Sequence, residues 1–113
     1  MDLLHDKIEH LPQGTPAMAE REWEIHLKEV NEWERVTNDV PFGVTSLLRK
    51  EFRFNDYPAT MEFTNQVADI AEKIGHHPDM LVQWCLITVS IHTHSMGGIS
   101  HNDFVLAAHI DTI

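Results

Sequence analysis

The sequence predicts an α+β domain, with helices packed on one face of a small antiparallel sheet. Three observations carry this. Apolar residues recur at a 3.6-residue period in two stretches, through Trp23, Leu27 and Val30 and through Phe63, Val67, Ile70, Ala71 and Ile74. They alternate with polar residues in two others, 45–54 and 84–94. With a short strand at 33–36 and a last helix after Ser100 the order is α-β-β-α-β-α, and 113 residues suffice for one core but not two.

Each element has a local reason. Residues 1–14 form a lead spotted with Leu3, Leu4, Ile8 and Leu11 and closed by Pro12 and Gly14. One or two helical turns are expected there, packed outside the domain or on a partner, and the domain proper spans 15–113. Thr15 as N-cap and Pro16 as first helical residue open a helix that should end near Asn31. A short strand at 33–36, the turn residues Asn38-Asp39, and an alternation of Leu48, Phe52 and Phe54 against Arg49, Glu51 and Arg53 predict a hairpin with one wet face. The next helix starts after Asn55-Asp56, tolerates Pro58 in its first turn, and stops at Gly75. A further short strand fits 79–82. The run 84–94 places Cys85, Ile87, Val89 and Ile91 toward the core and Thr88, Ser90, His92 and His94 on the other side. Gly97-Gly98 turns the chain, and Ser100 with Asp103 three residues on begins a last helix through Phe104, Leu106, Ala107 and Ile110.

Composition narrows the functional classes. Eight Lys+Arg against eighteen Asp+Glu give a net charge of −10, which repels a phosphate backbone, so direct nucleic-acid binding is not expected. No apolar run approaches the roughly 20 residues of a membrane span. The start "MDLLHDKIEH" lacks the basic end and apolar core of a signal peptide, and a cytoplasmic protein is expected. A lone cysteine, Cys85, leaves no intrachain disulfide, and in its apolar run it reads as a small core residue.

The histidines carry the chemistry. There are nine, and six fall after residue 75. His5, His10 and His26 read as surface positions, and His101 and His109 as solvated or partner-facing ones. His92 and His94 leave the same side of one strand, and the turn bearing His76, His77 and Pro78 is placed to fold toward them. Two chemistries fit this cluster. Zn²⁺ or another divalent ion suits the H-x-H pair, with His76 or His77 and Asp103 completing a shell. Proton transfer suits it equally, since an imidazole both donates and accepts near neutrality. Covalent catalysis is less favoured, because no Ser or Cys sits on a recognisable nucleophile elbow.

Glu72, His76-His77-Pro78, Trp84, His94 and Asp103, at their spacings, resemble the signature of the pterin-4a-carbinolamine dehydratases. The flanking stretches "LLRKEFRFNDYPATMEFTNQVADIAEKIGHHPD" and "THSMGGISHNDFVLAAHID" are similar to the same family, so the likeness runs from about Trp33 to Asp111. The resemblance implies a four-stranded antiparallel sheet with helices on one face. It implies dehydration of a 4a-hydroxytetrahydropterin to the quinonoid dihydropterin, within recycling of the tetrahydropterin cofactor, without a metal or any cofactor of the enzyme's own. It makes His76 and His94 the proton-transfer pair and Asp103 the residue that orients an imidazole. His77, with Pro78 and Trp84, would contact the pterin or support its site. Met80, Ser95 and Asn102 stand where the family often has Trp, an acidic residue and a basic residue. Relatives of this kind also serve as transcription-factor dimerisation cofactors and RuBisCO assembly factors, so a non-catalytic binding role is the alternative, and a histidine-rich metal site the third. A homodimer or homotetramer is expected, joined along the run Leu86 to His94, whose uncharged "CLITVSI" reads as an unprotected sheet edge.

Overall fold

Strand alternation and helix stripes meet in a single core. The computed structural model describes residues 3–16 and 18–113. Its elements are α1 (Glu20–Leu27), β1 (Glu34–Val36), β2 (Leu47–Arg53), α2 (Tyr57–Ile74), β3 (Asp79–Gln83), β4 (Leu86–Ile91), a 3₁₀ turn (His94–Met96) and α3 (His101–Ile110). The four strands form one antiparallel sheet in the order β1-β2-β4-β3. Leu48, Ile87, Val89 and Ile91 from the sheet are buried against Phe63, Val67 and Ala71 of α2 and Phe104, Leu106, Ala107 and Ile110 of α3. Each of these side chains larger than alanine contributes about 1.5–3 kcal/mol by leaving water.

Helix α2 forms where its signals place it. Asp56 caps it by accepting from the Ala59 N–H at 2.8 Å, and Gly75 ends it at φ +82°, its N–H donating to the Ala71 carbonyl. A residue with a Cβ is strained at that φ, so a glycine here fixes where the chain leaves the helix for His76. Helix α3 carries the full capping box: the Ser100 side chain accepts from the backbone of the first turn, and the Asp103 carboxylate accepts from the Ser100 N–H.

Four expectations are corrected. Helix α1 begins at Glu20 rather than at Thr15-Pro16, because the Thr15 hydroxyl and N–H both turn back to the Pro12 carbonyl, at 2.6 and 3.1 Å, and close a turn instead of a cap. It ends at Leu27, four residues before Asn31. The run 84–94 is a strand only over Leu86–Ile91; Trp84 and Cys85 form the β3–β4 turn, and His94 lies on the 3₁₀ turn. Most consequential, β4 is no edge: β2 pairs one side of it and β3 the other. Its uncharged sequence reflects a central strand, and the open edges belong to β1 and β3.

The lead packs on its own domain. Leu3 sits in the core at 4% exposure, and the lead turns at 3–5 and again at 13–14, with no helix or strand between. His26 also departs from its surface expectation: it is buried between α1 and α3, its Nδ1 2.8 Å from the Glu22 carbonyl and its ring against Phe104. Lys50 and Asp111 pair at 2.8 Å, and Asp111 also accepts from the Trp33 indole N–H, which fastens the C-terminal end of α3 to β1 and β2.

Candidate active site

The doubled histidine splits into an inward and an outward residue. Gly75 releases the chain from α2, Pro78 holds the turn extended, and successive side chains therefore leave on opposite sides. The His76 side chain is 12% exposed and its Nε2 lies 2.5 Å from Asp103 Oδ1. His77 is 59% exposed and stands 3.5 Å from Glu72 on the outside of the turn.

Asp103 is the fixed point. It is fully buried, and its two oxygens have separate duties. Oδ2 accepts from the Ser100 N–H at 2.7 Å and from the Thr93 hydroxyl at 2.9 Å, while Oδ1 faces His76. Thr93 and Ser100 are themselves joined through their hydroxyls at 2.6 Å. A carboxylate so engaged cannot rotate, and it sets the His76 ring with Nε2–H toward Oδ1 and Nδ1 left over for other work. Neither Thr93 nor the second duty of Ser100 is legible in the sequence, although the Ser100–Asp103 spacing announces the cap.

His76 and His94 line one cleft of about 440 Å³, together with Thr93, Ser95, Asn102, Gly75 and the lead residues Ile8 to Leu11. His94 is exposed at its mouth. His92 lies behind it, 6% exposed, with its ring centroid 4.4 Å from that of His94. Burial pushes the His92 pKa below the ordinary 6.5, the neighbouring His94 and more weakly His76 push the same way, and the carboxylates of Asp79 and Asp103 oppose them. His92 thus favours its neutral form. A larger concavity, about 620 Å³ on the open face of the sheet, is lined by Arg49, Glu51, Asp79 and their neighbours but holds no imidazole.

The sign of the His92 shift makes a prediction. With its folded pKa depressed, His92 binds fewer protons in the folded than in the unfolded chain just below pH 6.5, so stability is present above that value and is lost as pH falls. The drop in Tm between pH 7.5 and pH 5.5 should be smaller in His92→Gln than in the unaltered protein. Equal drops would assign the acid sensitivity to other groups.

The structure thus brings His76, His94 and Asp103 together and adds His92, Thr93 and Ser100. It does not bring in the whole predicted set. Trp84 is 74% exposed in the β3–β4 turn, at the opposite end of β3 from His76, and neither it nor His77 nor Pro78 lines the cleft. Among the described residues, no three His, Cys, Asp or Glu side chains converge as a metal shell requires. No helix there is long and apolar enough to cross a membrane.

Comparison with known proteins agrees with this architecture. The family model described as pterin 4 alpha carbinolamine dehydratase matches residues 16–113. A protein of Chlorobaculum tepidum, provisionally named a pterin-4-alpha-carbinolamine dehydratase, is 41% identical over 96 residues, covering 84% of this chain and 83% of its own. One of Alkaliphilus metalliredigens, named in the same way, is 36% identical over 98 residues, covering 87% and 83%. The crystal structure of a transcriptional coactivator/pterin dehydratase from Brucella melitensis superposes with a TM-score of 0.74 at 25% identity, over 86% of this chain and 97% of that one. A pterin dehydratase-like protein identified as a RuBisCO assembly factor in the alpha-carboxysome shares the fold, with a TM-score of 0.58 at 19% identity over 73% and 88%. With a family model matched across nearly all of its domain and relatives above 30% identity over most of their length, the chain belongs to the pterin 4 alpha carbinolamine dehydratase family.

Proposed function

We propose that the protein dehydrates 4a-hydroxytetrahydropterins by histidine acid–base catalysis. The observation that carries this is the His76–Asp103 pair, buried at one side of a cleft that His94 also lines. Asp103 holds the His76 ring by Nε2 and leaves Nδ1 to accept a proton, which makes that ring the natural base, and His94, exposed on the same cleft, is placed to be the acid. As the N5 lone pair of the pterin forms a double bond to C4a, the C4a–O bond breaks. His94 protonates the departing hydroxyl, giving water, and Nδ1 of His76 takes the N5 proton. Both histidines return to their starting states through solvent. His77, on the outward side of the turn, takes no step and would touch only substrate atoms beyond the cleft.

Neither a redox change nor a metal is needed for this elimination. The test is the rate of quinonoid dihydropterin formation from a 4a-hydroxytetrahydropterin, before and after exhaustive chelation. The expected result is turnover that chelation leaves unchanged. Loss of turnover on chelation, restored by zinc, would move the assignment to a metal site. Pterin binding without turnover would place the chain with the non-catalytic members of its fold. Two copies paired through the open β3 edge, with its apolar Leu81, are the assembly that this topology favours.

A further inference from the structure

We propose that residues Ile8 to Leu11 are a substrate-specificity wall of the His76/His94 cleft, positioned by Asn102, with the Glu9 carboxylate receiving paired N–H donors of the ligand. The inference rests on the pterin reading above for the identity of those donors, but not for the wall itself.

The lead reaches the cleft by a specific fastening. The Asn102 side chain, 3% exposed, accepts from the Glu9 N–H at 2.7 Å and donates to the Glu9 carbonyl at 2.8 Å. One buried amide thus satisfies both backbone groups of one residue, 93 positions away in the chain. A second hold lies on the other side of the segment. His101 bridges Asp6 of the lead, at 3.0 Å, and buried His26 of α1, at 3.2 Å. Asn102 and His101 both sit in the first turn of α3, beside Asp103. The helix that anchors the His76 partner therefore anchors the wall as well, and the two cannot shift independently.

The wall has a chemistry of its own. Ile8 and Leu11 are half-buried apolar residues flanking exposed Glu9 and His10, a composition that suits a flat ring with a polar edge. Glu9 is the carboxylate residue that lines this cleft, and Asp103 lies behind it. Asp103 is fully buried and engaged by His76, Thr93 and the Ser100 N–H, so no ligand reaches it. Glu9 is exposed, and its backbone is pinned. A carboxylate takes two parallel N–H donors well, and the 2-amino-4-oxo edge of a pterin presents such a pair, its ring N3–H and its exocyclic amine. The family model starts at residue 16, so the wall lies outside the portion of the chain that defines the family.

Two variants and two measurements test this. Glu9→Gln replaces one acceptor oxygen by a donor and is expected to raise KM for the 4a-hydroxytetrahydropterin about tenfold with a much smaller change in kcat. Asn102→Leu keeps the buried volume and removes the fastening, and is expected to raise KM similarly and to lower the hydrogen-exchange protection of the Glu9 amide by about tenfold or more. KM unchanged in both variants would overturn the specificity role. Retained protection of Glu9 in Asn102→Leu would overturn the wall, whatever the substrate proves to be. Should the unaltered protein turn over no pterin, the exchange measurement still decides the wall, and the failure belongs to the proposed reaction. A variant whose Tm falls below the assay range is replaced by Asn102→Ala, which also removes both hydrogen bonds to Glu9 but leaves room for water to reach them, and the same readouts apply.

Discussion

His94→Ala is expected to slow turnover about a hundredfold while leaving the fold unchanged. The asymmetry with His76 makes the experiment informative. His94 is exposed and lies on a 3₁₀ turn, so its removal strands no buried group. His76→Ala should slow turnover by a similar factor, but it also leaves Asp103 Oδ1 buried without its partner, and that costs about 1–3 kcal/mol of stability. Two rate losses of like size with unlike Tm shifts would separate chemistry from support. The double variant should lose less than the product of the two single losses, because both rings serve one elimination. Steady-state kinetics beside thermal melts reads all three. Turnover of His94→Ala equal to that of the unaltered protein would remove His94 from the mechanism.

Substituting Asp103 should have the largest combined effect. In Asp103→Ala the His76 ring, the Thr93 hydroxyl and the Ser100 N–H lose their acceptor together, and the capping box of α3 goes with them. A lost cap costs about 0.5–2 kcal/mol and each buried unpaired donor about 1–3 kcal/mol, against a total stability of roughly 5–15 kcal/mol. Expression as a largely unfolded chain is the expected outcome. Asp103→Asn is the finer probe. Its carbonyl oxygen can still receive Thr93 and Ser100, but its amide then presents N–H groups to His76 Nε2 and reverses the tautomer, with the proton moved to Nδ1. Turnover should slow by about a hundredfold or more while Tm stays within a few degrees, and the pH profile for kcat should lose the limb belonging to the base. Turnover near that of the unaltered protein would show that tautomer control at His76 is not used.

What can be seen in the sequence is local. Helix α2 is legible at both ends because its cap, its apolar stripe and its stopping glycine all act within four or five residues. The His76, His94 and Asp103 set is legible through a spaced signature. The burial of His26 is within reach of the same reasoning, since it shares the buried stripe with Trp23, Leu27 and Val30. Long-range pairing is not legible. An uncharged strand looks the same whether it is exposed at an edge or enclosed between two others, and β4 is enclosed. Nor does any local pattern reveal that Asn102 holds Glu9, 93 residues away, because such hydrogen bonds are allotted by the tertiary fold. Trp84 shows the converse: its place in the signature does not announce that it stands exposed, apart from the cleft that His76 and His94 line.

The β3–β4 turn gives the site an unusual sensitivity to chain length. Gln83 pairs with Leu86 across only Trp84 and Cys85, and the carbonyls of those two residues receive the Thr60 hydroxyl and the Phe54 N–H. Counting that register onward from Asp79 opposite Ser90 sets His76 across from Thr93, the two residues that Asp103 joins, and His77 across from His92. A strand that slips by one residue turns every side chain to the other face. One residue inserted into this turn, a whole strand away from the reacting atoms, can therefore exchange the doubled histidines and present His77 to Thr93. What the site requires of this turn is its count of residues between Gln83 and Leu86, because that count sets which of the doubled histidines meets Thr93.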